Sequence, residues 1–133
     1  MTDLLKRYRF IRSTIPAVLV LWTVLMLTLT LLPGEMLPST RLFSYDKIGH
    51  FGMFAGWTFF LGLYMIIYRE KVHINLFLLL VVGILFGAFI EFLQYLMPAG
   101  RSASWGDIVA NSLGCFTAYL VLHPVRNFFK KGK

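Results

Sequence analysis

The sequence predicts an all-α fold, an integral membrane four-helix bundle with both termini in the cytoplasm. The chain has 133 residues, of which 58% are hydrophobic and only 14% are charged. Soluble domains are about 45–50% apolar and about 25% charged, and a soluble fold of this length could not bury so much apolar surface. Lipid is therefore the expected solvent for most of the chain.

Four apolar runs are each long enough to cross the hydrocarbon core of a bilayer, which takes about 20 residues of helix. The runs lie at about 15–32, 46–68, 75–97 and 105–122, and we expect them to form one domain over residues 1–133. Thr14 and Pro16 are typical of a helix start, and Pro124 is typical of a helix end. Basic residues precede the first run, but no signal-peptide cleavage pattern precedes Pro33, which favours a retained span.

The distribution of lysine and arginine predicts the orientation. Ten of the 13 lie in the N-terminal arm, the loop between the second and third spans, and the C-terminal tail. The other three are Arg41, Lys47 and Arg101, in the segments at the opposite end. Cytoplasmic loops carry the excess of positive charge, so both termini are expected in the cytoplasm. Because the net charge of +7 is located in these flanks, nucleic-acid binding is not predicted.

Small and polar residues recur at helical spacing on the last three spans. Each span has four that we place on one face: Asp46, Gly49, His50 and Gly56; Gly83, Gly87, Glu91 and Gln94; and Asp107, Asn111, Gly114 and Ala118. Small residues at four-residue spacing let helices approach closely in lipid. We expect the three faces to pack together, with contacts at Gly56, Gly87 and Gly114.

The polar groups lie at a similar depth below the predicted outer boundary. Glu91 is about 9 Å inside the end of its span, and His50 and Asn111 are each about 6 Å inside theirs. A carboxylate in hydrocarbon needs a partner, protonation or a water-filled notch. We therefore expect Glu91 in an outward-facing polar pocket, within reach of His50 or Arg101. The candidate ligand-binding residues are Asp46, Lys47, His50, Glu91, Gln94, Arg101, Asp107 and Asn111.

Three short motifs occur in order along the chain: Asp46-Lys47-x-x-His50-Phe51, Glu91-x-x-Gln94, and Arg101-x-x-x-x-x-Asp107-x-x-x-Asn111-x-x-Gly114. Together they resemble the pattern of VanZ-like membrane proteins, over roughly Asp46 to Ala118. The resemblance implies a multi-pass protein of the bacterial plasma (inner) membrane. The founding member of that family is associated with low-level resistance to teicoplanin, a lipoglycopeptide that acts outside the cell on cell-wall precursors. The resemblance implies no settled biochemical mechanism.

Three kinds of function fit these residues. The first is a module that binds or modifies an amphiphilic ligand at the outer leaflet, with membrane lipids and either a lipoglycopeptide or a lipid-linked cell-wall precursor as partners. The second is a membrane enzyme acting on a lipid-linked substrate, with Glu91, His50 or Asp107 as the candidate catalytic group. The third is a structural or assembly protein whose polar residues only fix helix packing. Catalytic turnover and oligomeric state both stay open.

No metal site or other cofactor is predicted. His50, Glu91, Asp46 and Asp107 are suitable ligand types, but they lack tight ligand spacing such as His-Glu-x-x-His. Ser104-x-x-Asp107 also matches a helix-capping pattern, so Asp107 has a structural alternative. The single cysteine, Cys115, is expected to be a small buried hydrophobe.

The predicted orientation can be tested with single cysteines in a Cys115→Ser background. Ser39→Cys should react with an impermeant thiol reagent in intact cells, because the loop that contains it is expected outside. Lys131→Cys should react only after permeabilisation. The reverse labelling pattern would overturn both the orientation and the outer-face location of the polar residues.

Overall fold

The computed structural model describes residues 2–32, 46–97 and 104–131. Helix α1 spans Thr2–Leu31, α2 spans Asp46–Leu63, α3 spans Leu76–Leu96 and α4 spans Trp105–Lys131. A π-helical turn, Tyr64–Tyr68, extends α2. These segments contain no strand, and each of the four helices is long and apolar enough to cross a membrane. The predicted all-α four-helix architecture is confirmed, while the orientation stays a prediction.

Two predicted helix boundaries are wrong, and in each case a proline lies inside the helix. Helix α1 begins at Thr2 rather than near Pro16, and α4 continues past Pro124 to Lys131. An internal proline removes one backbone N–H donor and costs about 3 kcal/mol. The residues before Pro16 are rich in leucine, lysine and arginine, which favour helix. The last turn of α4 has two lysines, whose charge is favourable at a helix C-terminus.

Helices α2 and α4 touch backbone to backbone at Gly114. A Cβ there would lie 2.3 Å from the carbonyl oxygen of Phe51 and 2.9 Å from the backbone nitrogen of Ala55. Backbone atoms cannot rotate aside as a flexible side chain can, so this contact requires glycine. The predicted contact at Gly114 is confirmed.

Helix α3 packs against α4 and α2 through two glycines. A Cβ on Gly83 would lie 2.9 Å from Cys115 Sγ, and one on Gly87 would lie 3.1 Å from Asn111 Cβ. Cys115 is fully buried and accepts a hydrogen bond from Thr58 Oγ1 at 3.2 Å. The predicted contact at Gly87 and the expected burial of Cys115 are therefore confirmed.

The predicted contact of Gly56 with α3 and α4 is wrong, because this glycine faces α1. A Cβ on Gly56 would lie 2.3 Å from the indole ring of Trp22. Six residues separate Gly56 from His50, which corresponds to about 1.7 helical turns. The two residues therefore lie on different sides of α2, and only His50 points toward α4.

Indole hydrogen bonds join α1 to α2. Trp22 Nε1 donates to the carbonyl oxygen of Met53 at 2.9 Å, and Trp57 Nε1 donates to Thr23 Oγ1 at 3.1 Å. The opposite surface of α1 exposes large apolar side chains such as Leu21 and Val24. Such a surface is suited to contact with lipid rather than water.

Arginine side chains bind the loop between α2 and α3 at one end of the bundle. Arg12 donates to the carbonyl oxygen of Tyr68 at 3.2 Å and pairs with Glu70. Arg126, near the end of α4, donates to the carbonyl oxygen of Ile74 at 3.4 Å. The start of α1 and the end of α4 therefore lie at the same end of the bundle, as a protein with both termini on one side requires.

The backbone contact at Gly114 predicts a large effect from a single methyl group. Gly114→Ala should lower the free energy of unfolding by about 1–3 kcal/mol, the usual cost of overpacking. Gly52→Ala is the matched control, because a Cβ at Gly52 meets nothing within 4 Å. That control should be neutral or stabilising by up to about 1 kcal/mol, since alanine favours helix. Thermal unfolding in detergent measures the stability of both variants, and equal melting temperatures would contradict the backbone contact at Gly114.

Candidate functional site

Four buried polar side chains meet where α3 ends and α2 and α4 begin. They are His50 of α2, Glu91 of α3, and Asp107 and Asn111 of α4, and we call them the polar cluster. Glu91 and Asn111 are each 1% exposed, His50 is 3% exposed and Asp107 is 6% exposed. Atoms of His50, Glu91 and Asp107 that could act as ligands lie within 4.8 Å of one another. The structure thus brings together four of the eight candidate residues, whose binding role stays a prediction.

His50 lies at the centre of the polar cluster. Its Nδ1 is 3.1 Å from Asn111 Oδ1 and 3.4 Å from Glu91 Oε1. Neither Glu91 oxygen makes a hydrogen bond of good geometry within the described part of the chain, although the Ser104 backbone and the Asn111 side chain lie near it. The carboxylate of Asp107 is a further electrostatic neighbour of Glu91. Two acidic side chains therefore share an enclosed space with one imidazole.

Glycine contacts between helices bring the polar cluster together. Gly114, one turn after Asn111, holds α4 against α2, which places Asn111 beside His50. Gly87, one turn before Glu91, packs against Asn111 and so holds α3 against α4. The last turn of α3 and the first two turns of α2 and α4 consequently meet at one level.

The start of α4 contains both a helix N-cap, Ser104, and a residue of the polar cluster, Asp107. Ser104 Oγ accepts a hydrogen bond from the Gly106 backbone nitrogen at 3.1 Å, as an N-cap serine does. Asp107, three residues further on, is buried beside Glu91. Ser104 thus performs the capping role that its pattern predicts, while the Asp107 carboxylate belongs to the polar cluster.

The other four candidates differ in position. Gln94 Nε2 donates to the carbonyl oxygen of Thr30 at 2.6 Å, which ties α3 to the end of α1. Lys47 is exposed and crosses to α4, since a Cβ on Gly106 would lie 2.5 Å from its Cε. Arg101 and the side chain of Asp46 lie outside the described residues.

Two apolar grooves flank the first half of α2. The α2–α4 groove has a volume of about 290 Å³ and is lined by Lys47, Ile48, Phe51, Gly106, Val109, Ala110 and Leu113. The α1–α2 groove has a volume of about 480 Å³ and lies between Trp22 and Gly52, among other residues. Sequence reasoning did not predict these grooves, although a glycine between bulky apolar residues, such as Gly52 between Phe51 and Met53, is a signal for a surface depression.

The expected outward opening of the polar cluster stays a prediction, and within the described part of the chain the cluster is enclosed. Glu91 is only 1% exposed, and neither groove is lined by it. The α2–α4 groove nevertheless comes close, because Ala110 lines it and lies beside Asn111 in the sequence. An apolar surface and an enclosed polar cluster are therefore neighbours at this end of the bundle.

Comparison with known proteins gives a match to a family model. The family model described as VanZ/LLP1 matches residues 8–127, which include all of α2 and α3, most of α1 and α4, and the entire polar cluster. No curated protein and no solved structure matches the chain.

The Gln94 hydrogen bond predicts a structural effect distinct from any effect on the polar cluster. Gln94→Met keeps the length of the side chain but removes the donor to Thr30, so the free energy of unfolding should fall by about 0.5–1.5 kcal/mol. Ser112→Ala is the control, because the Ser112 hydroxyl donates to the Ile108 carbonyl of its own helix. Thermal melts in detergent should show a smaller change for Ser112→Ala, and the opposite ranking would contradict the α1–α3 connection.

Proposed function

The chain belongs to the VanZ/LLP1 family, and on that premise we propose that it binds or modifies an amphiphilic ligand of the bacterial cell envelope at the outer leaflet of the plasma membrane. The polar cluster of His50, Glu91, Asp107 and Asn111, enclosed beside an apolar groove, is the observation that supports this proposal. The family resemblance adds low-level resistance to teicoplanin-type lipoglycopeptides as the expected phenotype.

The energetic cost of the polar cluster favours a functional role over a purely structural one. Removing an ionised carboxylate from water costs several kcal/mol unless it is paired and hydrogen-bonded. Neither Glu91 oxygen makes a hydrogen bond of good geometry among the described residues, and Asp107 is a second acidic group nearby. A helix contact could be made by apolar residues at lower cost. Ionisable groups inside a membrane are accordingly functional by default.

The α2–α4 groove supports an amphiphile rather than a wholly polar ligand. Its lining is apolar except for Lys47, whose ammonium lies near Gly106 in the first turn of α4. Lysine there and the positive end of the α4 dipole both favour an anionic headgroup. An acyl or prenyl chain would lie along Val109 and Leu113, with a phosphate or carboxylate beside Lys47.

An enzymatic function is the second candidate, and the His50–Glu91 pair favours it. The 3.4 Å separation of His50 Nδ1 and Glu91 Oε1 lets one group hold a proton that the other accepts. Such a pair can serve as a general acid and base on a headgroup that enters the polar cluster. Binding and turnover then differ in whether the ligand leaves chemically changed.

Resistance measurements in a teicoplanin-susceptible bacterium test the proposal. Expression of the wild-type chain should raise the inhibitory concentration of teicoplanin, and Glu91→Gln or His50→Ala should abolish that rise at unchanged membrane abundance. Glu70→Gln is the matched control, since Glu70 is an exposed carboxylate at the other end of the bundle. Full resistance in both cluster variants would refute a role for the polar cluster.

Direct binding separates a ligand site from an indirect effect on the cell envelope. Native mass spectrometry of the purified protein with a lipid-linked cell-wall precursor should show a bound ligand. Lys47→Leu should lose this binding while keeping the fold, because Lys47 is exposed. Equal binding by the Lys47→Leu protein would remove the α2–α4 groove from the proposal.

A further inference from the structure

We propose that His50, Glu91 and Asp107 hold a divalent first-row transition-metal ion, such as Zn²⁺ or Mn²⁺, with Asn111 Oδ1 as an additional oxygen ligand. This inference goes beyond the proposed function and rests on it only in using the same polar cluster. The sequence lacks a tight metal-binding motif because the ligands come from three different helices. Their proximity becomes visible only in the folded protein.

The two separations from His50 in the polar cluster match those between neighbouring ligands of one ion. With metal–ligand bonds of about 2.0–2.2 Å, adjacent ligand atoms are about 3 Å apart at octahedral angles and about 3.4 Å apart at tetrahedral angles. His50 Nδ1 is 3.1 Å from Asn111 Oδ1 and 3.4 Å from Glu91 Oε1. The three ligand atoms of His50, Glu91 and Asp107 all lie within 4.8 Å of one another.

Charge and hydrogen bonding point to a cation. Glu91 is 1% exposed, and neither of its oxygens makes a hydrogen bond of good geometry in residues 2–32, 46–97 and 104–131. Asp107 places a second buried carboxylate beside it. Buried charges in proteins are paired or coordinate metals. A divalent ion at this position would balance both carboxylates and bind Glu91 more closely than His50 Nδ1 does at 3.4 Å.

The ligand types determine the class of metal. An imidazole nitrogen together with carboxylate oxygens suits Zn²⁺ and Mn²⁺, whereas Ca²⁺ and Mg²⁺ are bound by oxygen ligands. Thiolate-selective metals are disfavoured, because Cys115 bonds to Thr58 one turn deeper and is absent from the cluster. With Asn111 as the fourth ligand, only an ion with five or six ligands would keep a coordination position for an oxygen of an anionic ligand.

Metal titration of the purified protein tests the inference. The full chain, freed of any affinity tag and stripped with EDTA in detergent, is titrated with Zn²⁺, Mn²⁺, Mg²⁺ and Ca²⁺ by isothermal calorimetry. One equivalent of Zn²⁺ or Mn²⁺ should bind per chain. At about 100 times the dissociation constant, the melting temperature should rise by about 5–10 °C. Binding of only Mg²⁺ or Ca²⁺, or of no ion, would overturn the proposal.

Variants locate the site without relying on stability alone. Glu91→Gln and Asp107→Asn should each abolish the metal-dependent rise in melting temperature, while the EDTA-treated variants melt at or above the wild-type temperature because a buried charge is gone. Glu70→Gln and His73→Gln are matched controls at the other end of the bundle and should bind normally. Metal binding that survives Glu91→Gln but is lost in His73→Gln would refute the assignment.

X-ray absorption of the metal-loaded protein gives a readout independent of folding. The spectrum should show nitrogen and oxygen ligands at about 2.0–2.2 Å and no sulfur. A sulfur ligand would overturn the proposed set. These measurements need no amphiphile. A failure of the metal proposal can therefore be distinguished from a failure of the proposed precursor binding.

Discussion

At Gly114 the backbones of α2 and α4 touch, since a Cβ there would lie 2.3 Å from the Phe51 carbonyl oxygen. Water-driven hydrophobic association is absent between helices in lipid, so such close contacts contribute much of the packing energy. Asn111 is one turn before Gly114, and the contact therefore brings its amide to His50. Gly87 then brings α3 against Asn111 and places Glu91 at the same level. The positions of Asn111 and Glu91 in the polar cluster thus each follow from a glycine one turn away.

This arrangement concentrates the electrostatic cost of the fold at one end. The other end uses exposed or half-buried arginines that bind loop carbonyls, and ion pairs of that kind add little stability. In the polar cluster, by contrast, two acidic side chains are almost fully buried with one imidazole. An enclosed charge interacts strongly because the local dielectric constant is low. The same property makes such a cluster costly when empty and selective for a cation or a polar headgroup.

The sequence was sufficient to predict the four helices and the meeting of His50, Glu91, Asp107 and Asn111, because apolar length and helical spacing carry that information. The sequence did not predict that α1 and α4 continue through Pro16 and Pro124. At both positions the stability of the surrounding helix outweighs the one hydrogen bond that proline removes. The predicted contact of Gly56 with α3 and α4 was wrong because Gly56, six residues after His50, lies on a different side of α2. The enclosure of Glu91 and the surface grooves could not be predicted, since both depend on how side chains of separate helices fill space.

The grooves and the polar cluster are linked through the first turns of α2. Lys47 and Ile48 line the α2–α4 groove, whereas His50, only two residues further on, points into the bundle. Successive residues of a helix differ by about 100° in direction, so one turn of α2 can serve both surfaces. On α4, Ala110 and Asn111 are related in the same way. An acyl or prenyl chain of the ligand, lying in the α2–α4 groove, is therefore separated from the polar cluster by a single layer of helix backbone. To reach Asp107, the headgroup of that ligand would have to pass over the first turn of α4, beside Ser104 and the Lys47 side chain that extends there from α2.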